Sequence, residues 1–163
     1  MVIVTGCSSG LGGAITELLQ LDGRFTVIGV DLINSNEDSG IEMFTIDLAN
    51  RKSVSKFVET INSNYANKIY GIVNVAGISV GKSIVGMNEE DWDKMIETNL
   101  TAPALLISKL QDSMMDGGRI VNVSSPVSVT GSNKPAILTG KSDRDGKVIE
   151  NYRYLLMPMR YAS

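Results

Sequence analysis

"TGCSSGLG" at residues 5–12 decides how this chain folds. It follows the apolar run Val2-Ile3-Val4 and precedes Leu11, Ile15, Leu18 and Leu19 at helical spacing, so it reads as a glycine turn from a buried strand into a helix. Gly6, Gly10 and Gly12 let the backbone turn tightly and approach a ligand closely. The helix N-terminus behind them offers unpaired N–H groups and about half a positive charge, which suits a diphosphate. A tight strand–helix connection without a ligand would use the same glycines.

Outward from this turn, short β-rich runs alternate with helical patterns. Residues 25–30 read as a second strand ending at Asp31, and residues 43–46 as a third ending at Asp47. Val54, Phe57, Val58 and Ile61 share one face of a helix, and residues 69–73 read as a fourth strand. A long helix is expected from Asn88 to about Ser113, with Gly117-Gly118 just past its C-terminus, followed by a fifth strand at residues 120–123. Strands separated by helices imply long crossovers and hence parallel pairing. The expected fold is therefore α/β: a three-layer, doubly wound parallel sheet of Rossmann type, incomplete at the C-terminus, in a single domain spanning residues 1–163. After Ser125 the pattern dissolves, and residues 126 to about 147 read as a long loop.

Composition narrows the chemistry. The 163 residues are 43% hydrophobic and 20% charged, as expected of a globular domain, and the net charge of −3 argues against a phosphate-tracking nucleic-acid surface. No apolar run approaches the roughly 20 residues needed to cross a bilayer, and Met1 runs straight into a strand, so no membrane partner and a cytoplasmic location are expected. A single cysteine, Cys7, excludes an intrachain disulfide and a cysteine-rich zinc site, so no metal is expected. The absence of histidine excludes Ser-His and Cys-His triads. Cys7 itself reads as a small loop residue rather than a nucleophile.

Asp31, with Leu32 beyond it, ends the second strand where a carboxylate could accept hydrogen bonds from both ribose hydroxyls of an adenosine. The same charge repels a 2′-phosphate, and the loop residues Cys7, Ser8 and Ser9 supply no cation to hold one. NAD is therefore the expected cofactor. A solvated residue at a strand end is the plainer reading of Asp31.

Taken together, these residues resemble the short-chain dehydrogenase/reductase family. Its TGxxxGxG spacing is met by Thr5, Gly6, Gly10 and Gly12, with Leu11 inside it; its adenine-facing acidic residue matches Asp47, followed by Leu48, in "TIDL". Its NNAG motif appears as "NVAG", with Asn74, Ala76 and Gly77 retained and Val75 in place of the second Asn. Its helix Asn matches Asn99 in "ETNL", and its active-site Ser matches Ser125 in "RIVNVSS". The resemblance implies an oxidoreductase that interconverts a secondary alcohol and a carbonyl, and that pairs into homo-oligomers. It also implies that Ser125 hydrogen-bonds the substrate oxygen, Asn99 holds a relay water, and a Tyr acts as general acid/base.

The family's Tyr lies about a dozen residues past the Ser, where this chain has Leu138; Tyr161, in "YAS", is assigned instead, displaced by an insertion at residues 126–160. Tyr titrates near pH 10, so only about one in a thousand is ionised at pH 7. The family's lysine, four residues on, supplies the cation that lowers this, and the lysine position for Tyr161 falls beyond Ser163. Three readings stay open: a piece of a longer enzyme, a non-catalytic NAD-binding module, or recruitment of Lys134, Lys141 or Lys147. A rival of another class is a phosphate-loop NTPase built on "AGISVGKS" (residues 76–83), with Lys82 on the phosphates and Ser83 on Mg²⁺. Ala76 in place of the first glycine, and a fifth strand that closes on Ser124-Ser125 instead of a metal-holding Asp, argue against it.

Overall fold

Val2–Thr5 forms β1, with all four residues buried, as befits a strand covered on both faces of a parallel sheet. The computed structural model describes residues 1–34, 40–80, 86–125, 141–142 and 148–149. After β1 come α1 (Gly10–Asp22), β2 (Val27–Asp31), β3 (Glu42–Thr45), α2 (Arg51–Asn64) and β4 (Ile69–Asn74). Then follow α3 (Glu89–Ile96), a π-helical turn (Glu97–Thr101), α4 (Ala102–Lys109), a 3₁₀ turn (Gln111–Ser113) and β5 (Met114–Asn122). The five strands are parallel in the order β3-β2-β1-β4-β5, the doubly wound arrangement expected from the sequence.

Helices cover both faces. On one, Ile3, Ile28, Val30 and Ile72 pack against Val54, Phe57, Val58 and Ile61 of α2 and Ala102 and Leu106 of α4. On the other, Val2, Val4 and Val27 meet Ile15 and Leu19 of α1. Asn50 starts α2 by accepting the N–H groups of Lys52 (3.0 Å) and Ser53 (3.3 Å). Asn88 does the same for α3, accepting from Asp91 N–H at 2.8 Å, and Glu89, Glu90 and Asp91 complement the dipole of its first turn.

At four places the structure adds to or departs from what local pattern gives. The buried face of α1 runs through Gly12, Ile15, Thr16 and Leu19, leaving Leu11 and Leu18 exposed. The helix expected across residues 88–113 is three pieces, because the chain widens to a π-turn at Glu97–Thr101. Gly117 and Gly118 do not follow a helix; they lie inside β5. There the pairing jumps from Ile69↔Met114 to Gly71↔Arg119, and the bulge uses the left-handed φ of +74° at Gly117. Finally, a short antiparallel pair forms, with β6 (Lys141–Ser142) near the end of the stretch expected as a loop and β7 (Val148–Ile149) just past it.

Candidate active site

The sheet register brings Thr5, Asp31 and Asn74 to the carboxyl end of the sheet. Thr5 is level with Val30 on one side and Asn74 on the other; Asp31 is level with Thr45, and Asn74 with Asn122. The carboxyl ends of β1, β2 and β4 thus converge, which is where open α/β sheets bind ligands.

The glycine turn is held by contacts that admit no side chain. A Cβ on Gly6, whose φ is +70°, would lie 2.9 Å from both the N and Cα of Ala76, and a Cβ on Gly12 would overlap the Gly6 carbonyl. Gly6, Gly12 and Ala76 are therefore packing positions that set the shape of the turn. Gly10 differs: its φ is +52° and nothing lies within 4 Å of where its Cβ would stand. Ser9 precedes α1 without a side-chain cap, so the first-turn N–H groups of that helix are not answered from the Ser9 side chain. This open, uncapped helix start fits the diphosphate of a dinucleotide.

Asp31 is half-buried and closes the turn onto β2. Its Oδ2 accepts the Ser8 N–H at 2.9 Å and its Oδ1 accepts the Leu32 N–H at 2.7 Å, while Ser8 Oγ donates to the Ile33 carbonyl at 2.8 Å. Leu32 and Ile33 are exposed beside it. On the neighbouring strand end, the half-buried Asp47 accepts the Ala49 N–H at 2.9 Å, and Leu48 turns its side chain into the core. Cys7 is fully buried against Met43 and Gly29; burial, reinforced by the charge of Asp31, pushes its thiol pKa up, which makes it inert as a nucleophile.

Thr5 acts from beneath. It is 1% exposed, and its Oγ1 accepts the N–H groups of both Val75 and Ala76 at 3.1 Å, which stitches β1 to the "NVAG" turn. Asn74 donates to Asn122 Oδ1 at 2.8 Å, while its own Oδ1 is buried without a partner. Asn122 was not singled out by sequence reasoning; its signal is the strand register, which no local pattern reveals. Asn99 occupies the π-turn and grips Ile78 twice, accepting its N–H at 2.8 Å and donating to its carbonyl at 2.9 Å. Single π-turns inside helices are frequent at functional sites. Ser125 is half-buried, three residues past β5. Tyr161, and the rival Lys82 and Ser83, lie outside the described residues, as do Lys134 and Lys147.

The family model for short chain dehydrogenases matches residues 1–137. This chain belongs to the short chain dehydrogenase family. A short chain dehydrogenase of Penicillium brasilianum, ausX, is 34% identical over 139 residues, covering 81% of this chain and 53% of the relative. Among solved structures, 4-hydroxyisoleucine dehydrogenase complexed with NADH and succinate is similar at a TM-score of 0.70 and 25% identity, over 79% of this chain and 60% of that one. A blue fluorescent protein from a metagenomic library, in complex with NADPH, is similar at 0.71 and 26%, over 82% and 59%. The chain thus spans about half the length of the short chain dehydrogenase it matches. The family match encloses "AGISVGKS", so its likeness to a phosphate loop finds no separate support. The match stops at residue 137, short of Tyr161. Among the described residues no helix is long and apolar enough to cross a membrane, and no group of three or more acidic or cysteine side chains could hold a metal ion.

Proposed function

We propose that this chain is the cofactor-binding part of an NAD(H)-dependent oxidoreductase that interconverts a secondary alcohol and a carbonyl. One observation carries the cofactor choice: the Asp31 carboxylate, fixed by the Ser8 and Leu32 amides at the lip of the glycine turn. Its Oδ1 also accepts the Ile33 N–H at 3.5 Å; a carboxylate offers about four lone-pair sites, so beyond these three amides capacity remains at Oδ2 for a ribose hydroxyl. A 2′-phosphate would bring up to about two negative charges against it. No Lys or Arg occurs in residues 5–12 or 32–40, and Glu37 and Asp38 add further negative charge to the sequence after Asp31. Similar structures carry NADH in one case and NADPH in another, so the preference rests on Asp31 and not on the relatives.

The nicotinamide, when bound, supplies the site that gives or takes the hydride. Proton handling falls to the protein. Tyr161 is proposed as the general acid/base at the substrate oxygen, with Ser125 donating a hydrogen bond to that oxygen. Beyond its pair to Ile78, the Asn99 amide keeps one acceptor lone pair and one donor hydrogen for a relay water. A general acid/base of this kind typically contributes about 10²–10⁴ in rate. Calorimetric titration with NADH and NADPH tests the cofactor assignment. NADH is expected to bind at least about tenfold more tightly, a difference of about 1.4 kcal/mol. Equal or tighter NADPH binding overturns it.

A further inference from the structure

The first residue of α2 and the first residue of the π-turn meet. Arg51 directs Nε at Glu97 Oε2 (2.7 Å) and Nη2 at Oε1, the planar fork that Arg makes with a carboxylate. Each partner is rooted in a different wall of the site. Arg51 follows Asn50, whose N–H donates to the Asp47 carbonyl at 3.0 Å, and Ile46 N–H donates to the Asp31 carbonyl at 2.8 Å. Glu97 accepts, through its own carbonyl, the Ala102 N–H that closes the π-turn, and Asn99 lies two residues on. A continuous set of bonds thus runs from the ends of β2 and β3, through Arg51 and Glu97, to Asn99 and its double grip on Ile78.

We propose that the Arg51–Glu97 pair is a positioning device: it fixes the π-turn, and through it the Asn99–Ile78 clamp, to the Asp47 side of the site. The proposal rests on reading Asn99 and Asp47 as site residues. Stability alone does not account for the pair, because the Arg51 side chain is 66% exposed and exposed pairs contribute little to folding. Span distinguishes it too. The other ion pair among the described residues, Asp22–Arg24, joins residues two apart, whereas Arg51 and Glu97 are 46 apart and join separate elements.

Amide hydrogen exchange on the full chain without cofactor tests this, with Ile78 N–H as the reporter of the clamp. In Arg51→Ala and in Glu97→Gln, exchange at Ile78 should quicken by about two- to fivefold, the range an exposed pair can supply. Core amides of Ile3 and Ile72 should keep their rates. Arg51→Lys should fall between, and the swap Arg51→Glu with Glu97→Arg should restore protection. An unchanged Ile78 rate in both single variants, or uniform acceleration across β1 and β4, overturns the proposal. NADH titration of the unaltered protein separates the two ideas. Absent NADH binding with a responsive Ile78 defeats the site reading alone, and NADH binding with an unresponsive Ile78 defeats the positioning role alone.

Discussion

Replacing Thr5 by valine removes one oxygen and little else. Thr5 is 1% exposed and its Oγ1 accepts two backbone N–H groups, from Val75 and Ala76, both at 3.1 Å. Valine has nearly the same shape, so no cavity opens, and the cost is the loss of an acceptor for two amides. A buried donor left unpaired costs about 1–3 kcal/mol. Both amides here are part-buried and depend on one oxygen, so the lower part of that range applies to each, giving about 2–3 kcal/mol together. For a chain of this length, each kcal/mol moves Tm by about 2–4 °C, so Thr5→Val should melt roughly 4–12 °C below the parent protein. Thr5→Ser keeps the oxygen and drops one methyl, costing about 1 kcal/mol. Urea unfolding of the three proteins, with linear extrapolation, measures the difference. A Thr5→Val variant within about 0.5 kcal/mol of the parent, on the order of ordinary surface changes, would show that the hydroxyl does not hold the two amides. So would a Thr5→Ser variant that loses as much as Thr5→Val.

Gly12→Ala places a methyl onto the Gly6 carbonyl and must displace the turn; NADH affinity measured by fluorescence titration should fall at least about tenfold, about 1.4 kcal/mol, while NADH affinity in Gly23→Ala, at the far end of α1, should not change. Cys7, buried and with its pKa raised, should react with a disulfide reagent only after denaturation, and rapid labelling of the native chain would contradict its placement. Arg51 holds the Glu97 carboxyl below its usual range, chiefly through the hydrogen-bonded fork. A depressed folded-state pKa means the pair contributes in full above the ordinary carboxylate range and is lost as pH falls through the lowered value. An NMR titration of Glu97 should therefore move to higher pH in Arg51→Ala; an unmoved midpoint would show that the fork does not form in solution.

The glycine turn, the carboxylate at the end of β2 and the parallel sheet were legible in the sequence because each follows from local pattern: glycine spacing, strand-terminal Asp, and alternation of apolar periods. Val54, Phe57, Val58 and Ile61 all reach the core as their spacing dictates. What sequence misses is set by partners far along the chain. Gly117-Gly118 carries the composition of a helix stop, yet the pairing of Ile69 with Met114 draws the pair into a strand bulge. "ETNL" has unbroken helical pattern, and nothing local announces the π-turn; the double bond from Asn99 to Ile78 is where the turn meets the rest of the site. Thr5 was legible as part of a cofactor motif, but its hydroxyl is turned to Val75 and Ala76, seventy residues away. Leu18, at a core-like spacing, faces outward because Gly12 and Thr16 take the sheet side of α1.

A structure of this chain with NADH bound decides where the dinucleotide lies. The diphosphate should lie over Gly10 at the N-terminus of α1 and the adenosine ribose on Asp31, with the Ser8 and Leu32 amides still held by that carboxylate. A dinucleotide bound elsewhere, or with its ribose turned away from Asp31, would contradict that placement.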